Sequence, residues 1–374
     1  MRTKIGLLSG GIEQYWKSTG MKTLPQVLQQ DIDQLIHALK KEFDVVYPGF
    51  AGNEEDSERI GKILKKEEVD MALMYHATYI EDSMSLAFLD ELGDIFPVLF
   101  HSQGPRKFSP QDSLVDAGRF WGNNSTVQLP GTLKRLRPTL RFGYVFGGLG
   151  DRRSLEQIGE YARAASTVKK LARSKFAFLP HRSNAAAMYD TFPDEAMMMS
   201  QTKIRIDYLY IQDLIAGMKK VPDVDVDALT TELYEKYEII EPSEEEVRLA
   251  ARQAIALERL VKEKQLDAVG VDTGPGLIPY TGMIPCVGMA RLIDQGIVVT
   301  TEGDLSAAVS GLILKELSGG KPIHFWEHLA FDEENNCILG GHEGGSAGFS
   351  MAKSNTRPRL RNCLLYTSPS PRDR

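Results

Sequence analysis

Residues 71–75, Met-Ala-Leu-Met-Tyr, and residues 96–100, Phe-Pro-Val-Leu-Phe, flank a helical stretch at Met84–Leu92, and this unit decides the fold. Both short runs are apolar almost throughout, as in strands covered on two faces rather than one. Strand, helix and strand in that order make a parallel crossover. The alternation continues outward. Lys4–Ser9 is an apolar run, and Leu24–Phe43 sets Val27, Leu28, Ile32, Leu35, Ile36 and Leu39 at helical spacing. Phe43–Tyr47 reads as strand and Ser57–Lys66 as helix. A second series runs through strand Phe142–Phe146, helix Leu155–Leu171, strand Lys175–Leu179 and helical text at Tyr208–Lys219. Between Ser243 and Lys264 lies a helix whose start is marked by Ser243 and, three residues on, Glu246, the spacing of a capping box. Ala268–Asp272 is a strand end, and a third region opens near Lys321 with strand text at Pro322–Trp326 and turn text at Asp332–Asn336. The expectation is an α/β protein: two successive doubly wound parallel-sheet domains, at 1–178 and 179–321, followed by the start of a mostly β C-terminal domain at 322–361.

Bulk properties narrow the function. With 374 residues the chain can build two or three cores of ordinary size. A formal charge of −7 and the lack of a dense basic stripe exclude the electrostatic footprint of a nucleic-acid binder, so a small-molecule partner is expected. The apolar run before Ser9 is too short for a signal-peptide core or a spanning helix, which points to a cytoplasmic protein without membrane contact. Cys286, Cys337 and Cys363 offer neither a paired framework nor metal-knuckle spacing. From Cys363 to Arg374 the text turns into a Ser/Pro-rich string that resembles a translated sequencing adapter, so residues 362–374 are expected to be an artefact tail. A natural disordered terminus is the alternative.

In an open α/β sheet, ligands sit outside the carboxyl ends of the strands, so polar residues just after strands carry the chemistry. Val298–Thr301 is an apolar strand that ends in Glu302-Gly303-Asp304, ahead of a helix at Leu305–Leu317. Either Glu302 is a site carboxylate or one of the two acids simply caps that helix. Ile323-His324-Phe325-Trp326-Glu327-His328 ends an apolar strand in an acid, which needs a metal, a hydrogen-bond cluster or solvent. An exposed edge strand would supply the last. Leu339-Gly340-Gly341-His342-Glu343-Gly344 sets one imidazole among glycines, which suits either a close-packed site or a hairpin loop. Two carboxylates and a His are the hard-oxygen and imidazole donors that hold Mn²⁺ or a similar divalent ion.

In order, Thr301-Glu302-Gly303-Asp304, Trp326-Glu327-His328 and Leu339-Gly340-Gly341-His342 resemble the Glu, Glu, His metal-site series of L-arabinose isomerases, at intervals of 25 and 15 residues. Gly276-Leu277-Ile278-Pro279 and Gly282–Gln295 resemble that family's loop and helix before the first Glu, and Phe100-His101-Ser102-Gln103 is similar to a Phe-His-Thr-Gln segment of its first domain. The resemblance implies a metal-dependent intramolecular oxidoreductase that interconverts an aldose and a ketose, of the L-arabinose/L-ribulose or L-fucose/L-fuculose type, by ene-diol proton transfer. It implies Glu302, Glu327 and His342 as metal ligands, most fittingly for Mn²⁺, with Glu302 and Glu327 also as acid and base in undecided order. His101, Gln103, Leu277 and Ile278 become substrate-binding candidates, and a homo-oligomer, by resemblance a hexamer, is implied. After the imidazole this chain reads His342-Glu343-Gly344-Gly345, where the family carries His-Met-Leu-Glu, and the family has a further C-terminal His ligand. L-fucose isomerases use a Glu, an Asp and a late His, so Glu327 leans toward the arabinose branch. The rival readings are a non-catalytic sugar-binding α/β protein and a nucleotide-binding oxidoreductase. The latter rests on Ser9-Gly10-Gly11 and Gly147-Gly148-Leu149-Gly150, neither of which completes a G-x-G-x-x-G fingerprint.

Overall fold

The computed structural model describes residues 2–102, 111, 113–180, 191, 193–273, 277–344 and 357–361. Gln103 and the expected tail at 362–374 lie outside the described residues. The chain divides into two compact units, Met1–Lys169 and Lys170–Arg374.

The first unit runs β1 (Lys4–Gly10), α1 (Glu13–Thr19), α2 (Leu24–Leu39), β2 (Asp44–Val46), β3 (Phe50–Ala51), α3 (Glu54–Lys66), β4 (Met71–His76), α4 (Asp82–Leu92), β5 (Phe96–Ser102), α5 (Leu114–Leu136), β6 (Gly143–Gly147) and α6 (Arg152–Leu171). Its strands form one parallel sheet in the order β2-β1-β4-β5-β6, with β3 extending the pairing along β1. Successive side chains alternate between two apolar clusters. Leu7, Leu73, Val98 and Phe100 enter one cluster, while Leu8, Met74 and Leu99 enter the other. Two covered faces are why β1, β4 and β5 read as continuous apolar runs, and each fully buried large side chain contributes on the order of 1.5–3 kcal/mol.

Helix α5 carries no legible helical pattern, because Gly118, Gly122, Pro130 and Gly131 interrupt it. Its glycines are packing devices. A Cβ on Gly122 would stand 1.9 Å from the carbonyl oxygen of His76, so only glycine lets the helix lie against the end of β4. The start is fixed by a capping box in which Ser113 Oγ accepts from Asp116 N and Asp116 accepts from Ser113 N.

The second unit continues with β7 (Lys175–Leu179), α7 (Glu195–Thr202), β8 (Arg205–Tyr208), α8 (Ile211–Lys219), α9 (Asp223–Lys236), β9 (Glu238–Ile239), α10 (Glu244–Lys264), β10 (Ala268–Val271), α11 (Ile278–Thr281), α12 (Cys286–Asp294), β11 (Val298–Thr301), α13 (Leu305–Leu317), β12 (Glu327–Asp332), β13 (Cys337–Gly341) and β14 (Arg359–Leu360). A four-stranded parallel sheet runs β11-β10-β7-β8. Strand β7, placed inside the first domain by the 1–178 boundary, hydrogen-bonds to β8 and β10 and so belongs to this second sheet. Strand β8 lies just ahead of the helical text at Tyr208–Lys219 and shares only Tyr208 with it. It is a four-residue edge strand, too short for its period to separate from the helix that follows. The capping box of Ser243 and Glu246 opens α10 as its spacing implies.

Residues 321–326 form no strand, and the strand expected there begins instead at Glu327. Pro322 has no N–H to give a ladder. Strands β12 and β13 form an antiparallel hairpin, solvent-exposed along most of its length. Among the described helices, none is long and apolar enough to cross a membrane.

Candidate metal centre

Three segments of the second unit converge beyond the carboxyl ends of β10 and β11. The first is the turn after β11. Asp304 N donates to Thr301 O, and both central residues have positive φ, 58° at Glu302 and 67° at Gly303. Gly303 takes that conformation freely, but Glu302 does so against its own Cβ. Capping of α13 falls to Asp304, whose Oδ1 accepts from Ala307 N at 2.8 Å. Glu302 therefore holds a strained backbone position without serving as the helix cap, as residues at functional sites often do.

The hairpin supplies the other two residues. Its register sets Glu327 opposite Gly341, so the next residue, His342, emerges beside the carboxylate. Glycine is needed at both ends of this arrangement. A Cβ on Gly340 would stand 1.8 Å from Cε3 of Trp326, and one on Gly344 would meet Met289 Sδ at 2.9 Å and Cys286 Cα at 3.1 Å. The loop carrying His342 is thereby seated on α12.

Donor atoms of Glu302, Glu327 and His342 all lie within 4.8 Å of one another. His342 Nε2 is 3.0 Å from Thr301 Oγ1 and 3.9 Å from Glu302 Oε1. Its Nδ1 lies 3.1 Å from Glu343 Oε2, although that nitrogen is buried and makes no in-line hydrogen bond. Phe325 closes one side, its ring centroid 5.2 Å from the imidazole. Burial works against the charged form of His342, but the carboxylates of Glu343, Glu302 and Glu327 outweigh it and raise the imidazole pKa above its ordinary value. Burial likewise pushes Glu343 up, yet contacts with His342 and Thr273 prevail and hold its carboxyl below the usual range. Three carboxylates around one imidazole leave surplus negative charge in a partly buried place. A divalent cation fits that donor set and offsets that charge.

Leu277 is wholly buried in the main apolar cluster of the second unit, and Ile278 packs against that cluster from a half-buried position. His101 stands at the end of β5 in the first unit, where Nδ1 is 2.6 Å from the Tyr144 hydroxyl and the ring packs edge-on to Phe146. Burial lowers its pKa. Glu343 was not singled out from the sequence as a site residue; its position next to His342, where the family pattern has Met, was the available signal.

The fold and site define a doubly wound α/β protein with a carboxylate–imidazole cluster at its strand ends. Residues 189–320 match the family model of the L-arabinose isomerase central domain. The sulfoquinovose isomerase of Priestia aryabhattai is 22% identical over 216 residues, covering 58% of this chain and 48% of that protein. The L-arabinose isomerase of Leuconostoc mesenteroides is 25% identical over 214 residues, 53% of this chain and 43% of that one. That of Thermotoga petrophila is 31% identical over 140 residues, 35% and 27% of the respective chains. Part of this chain is thus similar to the L-arabinose isomerase central domain and, at low identity, to proteins named as sulfoquinovose isomerase and L-arabinose isomerase. The chain spans about half the length, 48% and 43%, of the sulfoquinovose and Leuconostoc relatives. An ABC transporter solute-binding protein of Bacillus halodurans C-125 with bound myo-inositol aligns at 11% identity over 86% of this chain and 91% of its own, with a TM-score of 0.22, too low to carry weight.

Proposed function

We propose that this protein is a divalent-cation-dependent aldose–ketose isomerase, an intramolecular oxidoreductase acting on a small sugar. The observation that carries this reading is the convergence of Glu302, Glu327 and His342, from three separate segments, to within 4.8 Å. Moving the carbonyl between C1 and C2 of a sugar requires a proton to leave one carbon and reach the other while charge builds on two oxygens. A bound divalent cation, Mn²⁺ by the hardness of the donors, supplies Lewis-acid stabilisation for that charge. Glu302, Glu327 and His342 are the residues that would hold it.

The proton work belongs to the two carboxylates, one removing and one supplying a proton at the reacting end of the sugar. Glu302 is fixed for this by its turn, and Glu327 by its pairing with Gly341. Phe325 covers the imidazole and keeps water from one side of it. The names of the relatives supply the substrates to try first, L-arabinose and sulfoquinovose, and L-fucose follows from the wider resemblance. A homo-oligomer belongs to the same reading.

The test is incubation of the chain with each aldose and Mn²⁺ in deuterated water, followed by NMR. A ketose product, made by wild type and lost in Glu302→Gln and Glu327→Gln with folding intact, supports the proposal. No ketose from any of the three sugars, from folded protein, overturns it; saturable sugar binding without turnover would place the chain with sugar-binding proteins instead.

A further inference from the structure

The environment of His342 extends beyond the three donor residues. On one side of the ring, Thr301 Oγ1 lies 3.0 Å from Nε2. On the other, Glu343 Oε2 lies 3.1 Å from Nδ1. The side chain of His342 is only 4% exposed, and that of Glu343 is 18% exposed. Glu343 is also hydrogen-bonded to the Thr273 side chain, which stands just past the end of β10. The imidazole is therefore braced between the ends of two neighbouring strands, through Glu343 and Thr273 at β10 and through Thr301 at β11.

A carboxylate only accepts hydrogen bonds, so the ring nitrogen facing Glu343 has to be the one that carries the proton. Nε2 is then the lone-pair nitrogen, able to accept from the Thr301 hydroxyl or to ligate a cation, and it is Nε2 that faces Glu302 at 3.9 Å. A buried ring N–H seeks a partner, and Glu343 Oε2, 3.1 Å from Nδ1, is an acceptor within reach. We infer that Glu343 is a positioning residue: it fixes the Nδ1–H tautomer of His342 and aims Nε2 at the cation site. This inference rests on the proposed metal site only for its consequence on affinity. Carboxylates behind ligating histidines typically change metal affinity 10–100-fold when removed.

The experiment uses the full chain with ¹⁵N-labelled histidine. In chelator-treated protein near pH 9, well above the ordinary imidazole value of about 6.5, nitrogen shifts report which ring nitrogen holds the proton. Wild type is expected to show His342 protonated at Nδ1, assigned by its loss in His342→Asn. Glu343→Ala is expected to lose that preference and to bind Mn²⁺ on the order of 10–100-fold more weakly. Glu343→Gln, whose amide oxygen still accepts, should keep the tautomer and much of the affinity, which also guards against a misfolded Ala variant. An unchanged tautomer in Glu343→Ala, or wild type protonated at Nε2, overturns the inference. If wild type binds no Mn²⁺ at all, the metal reading fails, while the tautomer measurement still decides the role of Glu343.

Discussion

Replacing Glu302 by Gly and, separately, by Ala isolates the backbone strain at the proposed site. Both variants lose the same carboxylate and the same 3.9 Å contact with His342, so that loss cancels between them. What differs is the conformation at φ 58°. An L-residue in the left-handed region costs roughly 1–2 kcal/mol. Glycine escapes that cost but gives back about 0.5–1 kcal/mol in unfolded-chain entropy. Taking mid-values, the Gly variant should therefore be more stable than the Ala variant by roughly 0.75 kcal/mol, the reverse of their order in ordinary helix or strand positions. For a unit of this size that is a difference of about 1–4 °C in Tm. The assay is denaturant unfolding of both variants in chelator, with calorimetry as the check. An Ala variant equal to or more stable than the Gly variant would refute the left-handed placement of Glu302. It would also remove the reason for reading a carboxylate kept there as functional.

Three other expectations follow from the packing. Gly122→Ala drives a Cβ into the His76 carbonyl, and urea unfolding should show a loss on the order of 1–3 kcal/mol or more, typical of overpacking. His76 is buried between the Ser85 and Thr126 hydroxyls, and burial lowers its pKa to about 3, below the ordinary 6.5, so the native state resists a proton that the unfolded chain accepts. Its stabilising contribution is full above about pH 6.5 and is lost as pH falls toward 3. At pH 5 the loss is about 2 kcal/mol, which urea titrations of wild type against His76→Gln should show as a shallower acid limb in the variant. Asp304→Ala removes the cap of α13 and should cost about 1 kcal/mol in denaturant unfolding while leaving Mn²⁺ binding in place. A loss of binding there would mean that Asp304 acts at the site itself.

Much of the fold was legible because β1, β4, β5, β7, β10 and β11 are buried along most of their length on two faces. Met71–Tyr75 and Val298–Thr301 declare themselves by composition alone. Helix α5 was not legible, since its glycines answer a backbone contact with His76 that no periodicity encodes. Strand β12 was misplaced by a few residues because an apolar run at 323–326 reads the same whether paired or loose. In the site, order and spacing singled out Glu302, Glu327 and His342, but they could not separate a capping acid from a site carboxylate. The geometry does so, giving the cap to Asp304 and a left-handed turn to Glu302. Glu343 stayed hidden because its role depends on which imidazole nitrogen faces it.

The most direct measurement is Mn²⁺ binding to the chain by electron paramagnetic resonance, in wild type and in Glu302→Gln, Glu327→Gln and His342→Asn. The expected result is a single saturable Mn²⁺ per wild-type chain, weakened on the order of tenfold or more by each substitution, with circular dichroism unchanged. Wild type without a saturable site, or one indifferent to all three substitutions, would contradict the assignment of Glu302, Glu327 and His342 as a metal centre.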